Sequence, residues 1–217
     1  MAHLTMKKKK AVLLLTALGE LYPDARCALY FRNPFELLIA TILSAQCTDV
    51  RVNQVSPALF ARYPDPQAFA EADLAELEAA IRSTGFFRNK AKNILGCAKA
   101  LLDRHDGQVP RTMTELTALP GVGRKTANVV LGNSFDTPGM VVDTHVKRLA
   151  NRFDWTRSVD PVKIEQDLCR LLPAEKWTSA SHILILHGRA LCKAPIPLCS
   201  QCPVFDLCPR VGVTRSR

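Results

Sequence analysis

Four cysteines crowd into 17 residues near the C-terminus, as Cys192-x6-Cys199-x2-Cys202-x5-Cys208. Four thiolates in one short loop can ligate a single centre. A secreted disulfide scaffold is usually smaller and spreads its cysteines through the chain, so a tight cluster reads as a metal or cluster site in a reducing compartment. Zinc ribbons usually pair two Cys-x2-Cys units, and only one is present here. An internal Cys-x2-Cys with prolines beside ligands, Pro203 and Pro209, suits a [4Fe–4S] cluster. The spacing favours iron–sulfur over zinc, with disulfides third. Such a centre either carries electrons or staples a basic loop, and Lys193 and Arg210 flank it. The other cysteines, Cys27, Cys47, Cys97 and Cys169, stand alone and are expected as small buried core residues.

The 217 residues hold 29 Lys and Arg against 20 Asp and Glu, a formal net charge of +9. That balance points to a polyanionic partner, nucleic acid before membrane surface. Hydrophobic residues at 47% and charged residues at 23% exclude wholesale disorder and collagen-like classes. The length allows one large domain or two small ones. Lysines at 7–10 precede an apolar run at 11–18, which resembles a signal peptide. No small-x-small cleavage site follows, and the run is shorter than the roughly 20 residues that span a bilayer. The reading taken is an amphipathic helix that starts after a solvated lysine run and stops before Pro23. A soluble, cytoplasmic protein is expected, with no membrane partner.

Helical signals run nearly throughout. Asn33-Pro34 reads as a cap and first-turn proline before the apolar run 35–43. Asp73 with Glu76, and Thr112 with Glu115, are capping pairs. Asp160-Pro161 opens a segment with Ile164, Leu168 and Leu171 on one face, closed by Pro173. Residues 181–191 are a further helix candidate. Met-Val-Val at 140–142 is the best strand-like run and is too short to build a sheet. The stretch at 135–139 marks a domain boundary. The chain is therefore expected to be all-α.

Leu119-Pro-Gly-Val-Gly-Arg-Lys-Thr-Ala127 places a tight turn between two helices. Gly121 and Gly123 permit positive φ and close approach of another chain. The second helix opens unpaired N–H groups toward an anion, with Arg124 and Lys125 beside them. A nucleic-acid phosphate, held without sequence readout, is one ligand; a plain corner with solvated basic residues is the alternative. A P-loop is discounted, because the Gly-x-x-x-x-Gly-Lys spacing is absent. A lysine with a lowered pKa can attack a sugar C1′, and a carboxylate such as Asp143 can stabilise the resulting cation. Asp143 also reads as a simple cap of the helix that follows it.

These residues together resemble the endonuclease III family of helix–hairpin–helix DNA glycosylases. The resemblance is carried by Pro34-Phe-Glu-Leu-Leu-Ile-Ala40, Leu43-Ser-Ala-Gln-Cys-Thr-Asp49, the 119–130 hairpin, Val142-Asp-Thr-His145, Leu186-His-Gly-Arg189 and the 6-2-5 cysteine spacing. It implies two helical domains with DNA in the cleft between them. One is a six-helix domain over 26–137, with the hairpin at about 112–132. The other is an iron–sulfur domain built from 1–25 and 138–217. It implies excision of oxidised pyrimidines and strand cleavage by β-elimination, with Lys125 as nucleophile and Asp143 as catalytic carboxylate. It implies a [4Fe–4S] cluster on Cys192, Cys199, Cys202 and Cys208, and a monomer, since one polypeptide supplies both walls of the cleft. Among DNA contacts it implies Gln46 filling the gap left by a flipped base, with Gly121, Gly123, Arg124, His145 and Lys193. The opposite wedge is usually aliphatic; here Phe86 takes that position, with one of Phe86 and Phe87 expected exposed and the other buried. A glycosylase of the same fold for another lesion, and a non-catalytic damage or redox sensor, are the competing readings.

Overall fold

The computed structural model describes residues 2–217, with side chains from Thr5 onward; Met1, where the expected N-terminal segment begins, lies outside them. The α-helices in chain order are α1 (Ala2–Leu21), α2 (Pro34–Leu43), α3 (Asp49–Arg62), α4 (Pro66–Ala70), α5 (Leu74–Ile81), α6 (Phe87–His105), α7 (Met113–Thr117), α8 (Arg124–Ser134), α9 (Thr144–Arg152), α10 (Pro161–Leu171) and α11 (Trp177–Ala190). No strand occurs among the described residues, so the all-α expectation holds. Among the described residues, no helix is long and apolar enough to cross a membrane.

Short polar caps start most of these helices. Asn33, Thr48, Asp65, Asp73, Thr112 and Asp160 each accept a backbone N–H three residues on, at 2.7–3.2 Å. This satisfies donors that a helix start otherwise leaves unpaired. Proline follows three of these caps, at Pro34, Pro66 and Pro161, where its missing N–H costs nothing.

Two compact units result. One is Cys27–Thr137; the other takes the chain up to Arg26 and again from Pro138 to Arg217. Each has its own core. In the Cys27–Thr137 unit every residue of α2 from Phe35 to Leu43 is buried. A helix apolar all round has to be surrounded, and α3, α6 and α8 pack against it. Its one buried carboxylate, Glu36, is met by a two-pronged Arg32 guanidinium at 2.9 and 2.6 Å. Phe69 of α4 is fully buried, edge-on to Phe35 at 5.6 Å between centroids and tilted against Tyr63 at 5.1 Å.

The other unit buries Ala11, Leu14, Leu15 and Leu18 of α1 together with Leu149, Ile164, Leu168 and Leu184. The spacing of the α1 residues is that of one helix face. That face and the stop before Pro23 match expectation, but α1 begins before the lysines at 7–10, which therefore lie inside the helix. Three other local expectations differ. α7 ends at Thr117 and a turn covers the residues to Gly121, because Pro120 cannot continue a helix. α11 begins at Trp177 rather than at 181. Among the lone cysteines only Cys97 is buried, and burial pushes its thiol up to about 12; Cys27, Cys47 and Cys169 are half-buried. Residues 140–142 pair in no ladder, and Val141 N–H donates instead to the Ser181 hydroxyl at 2.9 Å.

Phe69→Ala would leave a cavity against Phe35 and Tyr63. The expected loss is about 3–5 kcal/mol of unfolding free energy, read from the denaturant midpoint at unchanged m-value.

Candidate functional site

The turn between α7 and α8 is shaped by its two glycines in different ways. Gly121 has φ +76°, and a Cβ there would lie 2.7 Å from Cβ of Asn93 on α6. Both backbone and space require glycine. Gly123 has φ −90°, and nothing lies within 4 Å of where its Cβ would be. Of the two properties that glycine permits, Gly121 uses the positive φ and Gly123 does not. What remains at Gly123 is an open approach to the backbone at the start of α8. Val122 is buried between them and fixes the turn. Pro120 rests on Gly96 of α6, where a Cβ would come within 3.3 Å.

Arg124 and Lys125 occupy the first turn of α8, which has no acidic residue and no side-chain cap. Cations at the positive end of a helix dipole oppose it. The arrangement concentrates positive charge where backbone N–H groups point outward, which suits an anionic ligand. Lys125 is exposed.

Two exposed loop tips share a rare conformation. Gln46 between α2 and α3 has φ +52°, and Phe86 before α6 has φ +50°. Non-glycine residues avoid this region. Phe86 is 63% exposed, while Phe87 packs partly against the core. Asp106, Asp136, Asp154 and Arg210 share this φ, and Phe86 differs from them in pairing it with a large exposed apolar ring.

In the other unit, Asp143 caps α9. One carboxylate oxygen accepts from the N–H groups of His145 and Val146, both at 2.8 Å. His145 lies against α11: a Cβ on Gly188 would meet its Cβ at 2.9 Å. Arg148 joins the His145 ring at 3.1 Å, the Gly188 carbonyl at 2.9 Å and the Cys192 carbonyl at 3.1 Å. Burial, helped by Arg148 and Arg189, pushes His145 below its ordinary pKa against the opposing pull of Asp143. Lys125 and Asp143 thus belong to different units.

The four clustered cysteines line one cavity, together with Arg152, His187, Leu191, Leu198 and Phe205. Among the described residues, no three His, Cys, Asp or Glu side chains converge closely enough to hold a metal ion. The sulfurs share a wall instead. Arg152 reaches Cys192 Sγ at 3.2 Å and the Lys193 carbonyl at 2.9 Å. His187, buried, faces Cys202 Sγ with Nε2 at 3.6 Å and the Tyr22 hydroxyl with Nδ1 at 3.2 Å. Burial pushes Cys208 up to about 11 and raises Cys202, and neighbouring cysteines add to both. Such thiols ionise together only with a cationic centre between them, so the donor set fits one. Lys193 is exposed at the rim. His187, Arg152 and Tyr22 were not singled out as site residues; Leu186-His-Gly-Arg189 was the available signal, and its His and Gly serve the cysteine loop and α9.

Residues 39–174 match the HhH-GPD superfamily of base excision DNA repair proteins. Endonuclease III of Synechocystis sp. is 54% identical over 204 residues, covering 94% of this chain and 93% of the relative. The chain belongs to the endonuclease III family. A solved endonuclease III–DNA non-covalent complex aligns with a TM-score of 0.89 at 46% identity, over 94% of this chain and 95% of that one. A trapped endonuclease III–DNA covalent intermediate aligns equally well, over 96% of its chain.

Gly121→Ala is expected to destabilise by more than 1 kcal/mol, through αL strain and contact with Asn93. Gly123→Ala is expected to change unfolding free energy by less than about 0.5 kcal/mol. Thermal unfolding of the pair checks the contrast.

Proposed function

We propose that this chain is a bifunctional base excision repair enzyme. It removes oxidised pyrimidines of the thymine glycol type from duplex DNA and cleaves the strand at the resulting abasic site. The observation that carries the reading is Lys125, exposed in the first turn of α8 behind the glycine turn, in a family with a member trapped covalently on DNA.

The hairpin binds a backbone phosphate: Gly123 lets the strand approach the α8 N–H groups, and Arg124 adds charge. The lesion leaves the stack at a cost of a few kcal/mol. Gln46 enters the gap, and Phe86 stacks on the orphan base, at about 1–3 kcal/mol per base. Lys125 Nζ attacks C1′ as the glycosidic bond breaks, and the base departs with the bonding electrons and takes up a proton. Asp143 stabilises the positive charge on the sugar and moves protons. Ring opening gives a Schiff base. Loss of a C2′ proton then expels the 3′ phosphate, and water hydrolyses the imine to free the lysine. His145 and Lys193 supply further contacts to DNA.

Cys192, Cys199, Cys202 and Cys208 would hold a [4Fe–4S] cluster. Support comes from four sulfurs lining one cavity, with an Arg152 N–H directed at Cys192 Sγ and the His187 ring against Cys202 Sγ. When bound, the cluster cross-links the 192–208 loop and neutralises its crowded thiolates.

Borohydride treatment on duplexes carrying thymine glycol or an abasic site is expected to trap a covalent adduct with the wild-type protein and none with Lys125→Ala. Asp143→Asn keeps the capping acceptor and should fold normally, yet lower base excision by about 10²–10⁴-fold. An Asp143→Asn variant with wild-type rates would remove the carboxylate from the mechanism. Cys202→Ser should reduce bound iron and the visible-range absorbance of the purified protein; full iron retention would count against that cysteine as a ligand.

A further inference from the structure

The Cys27–Thr137 unit contains a buried lysine that the reaction above does not use. Lys90, on the first turn of α6, is 4% exposed. Its ammonium donates to the Thr84 carbonyl at 2.8 Å. Its backbone N–H donates to the Phe86 carbonyl at 3.1 Å. One residue therefore holds the chain on both sides of Gly85 and Phe86. The turn it closes is otherwise lightly held. Gly85 has φ +72° with nothing within 4 Å of a Cβ, and Phe86 has φ +50° with its ring in solvent. Upstream, the Thr84 hydroxyl donates to the Ile81 carbonyl at 2.8 Å, so the point Lys90 grips is itself buried and fixed.

Burying an ammonium is expensive unless something specific is gained. The desolvation shows as a lowered Lys90 pKa, opposed by the nearby Cys47 thiol. Cys47 follows Gln46, the other strained tip. The amine thus lies within electrostatic reach of the second loop while bonded to the first. A methionine would fill the same space without the desolvation cost, so packing alone gives no reason for a charge here.

We propose that Lys90 is a positioning residue for base excision: it fixes the left-handed turn that presents Phe86 to DNA. This rests on the reading of Phe86 as a DNA contact. It predicts coupling between two residues, one buried and one exposed, beyond what general destabilisation produces.

A double-mutant cycle on kcat/KM for a thymine glycol duplex tests it, using K90M, F86A and the double variant at a temperature where each is folded by circular dichroism. With Phe86 present, K90M is expected to lower kcat/KM about ten- to a hundredfold, as misplacement of a positioned group does. In the F86A background the same change should cost less than about threefold. An equal loss in both backgrounds, or no loss in either, overturns the proposal. If K90M does not fold, K90R replaces it: its bulkier fork displaces the Thr84 turn, and a smaller loss confined to the Phe86 background is expected. F86A with wild-type kcat/KM overturns the Phe86 contact and the role of Lys90 with it. Wild-type protein that forms no product overturns the glycosylase reading itself, a result separate from any behaviour of the variants.

Discussion

A helix with no solvent-facing side must be enclosed, and α2 is such a helix. Its burial from Phe35 to Leu43 forces α3, α6 and α8 to pack around it. That enclosure gives α8 a fixed seat, and with it the direction in which the first turn of α8 faces. The glycine turn then needs little support of its own: Val122 points inward, Pro120 rests on Gly96, and Gly121 fits against Asn93 where no side chain could. The exposed amine of Lys125 is thus carried on a rigid element, although the residues beside it are mostly solvated.

The second unit uses polar contacts for a comparable purpose. Arg148 and Arg152, one turn apart on α9, both reach across to the cysteine loop. Their targets are mostly backbone carbonyls, which a guanidinium can bridge several at a time. α9 thereby joins the capped Asp143 at its start to the cysteine loop at its end. A loop too short for a hydrophobic core of its own is held by cations along one edge and by the buried Val204.

Much of this was legible in the sequence because it is local. Asn33, Asp73, Thr112 and Asp160 announce their helices through side chains that reach only three residues ahead, and all four cap as read. The apolar face of α1 is legible for the same reason. Residues whose meaning depends on distant partners were not. Gly123 and Gly121 look alike in a string, and only the position of α6 tells them apart. Lys90 reads as one more surface lysine until its amine is found under the Thr84 carbonyl. His187 is an unremarked letter of a motif until Tyr22, 165 residues away, closes on its other nitrogen. Membership of a family carried the identities of Lys125 and Asp143 further than physics did, since their separation in sequence says nothing of separation in space.

One unit is continuous and the other is not, and this matters while the chain is being made. α1 is made before the inserted unit, with Ala11, Leu14, Leu15 and Leu18 ready to bury. The partners for that face lie on the far side of the 27–137 insertion. Domains fold as units during synthesis, so the inserted unit can complete itself while α1 waits. The cysteine loop follows that unit in the chain. A chain interrupted before residues 192–208 are made already holds the whole Cys27–Thr137 unit, and with it Lys125.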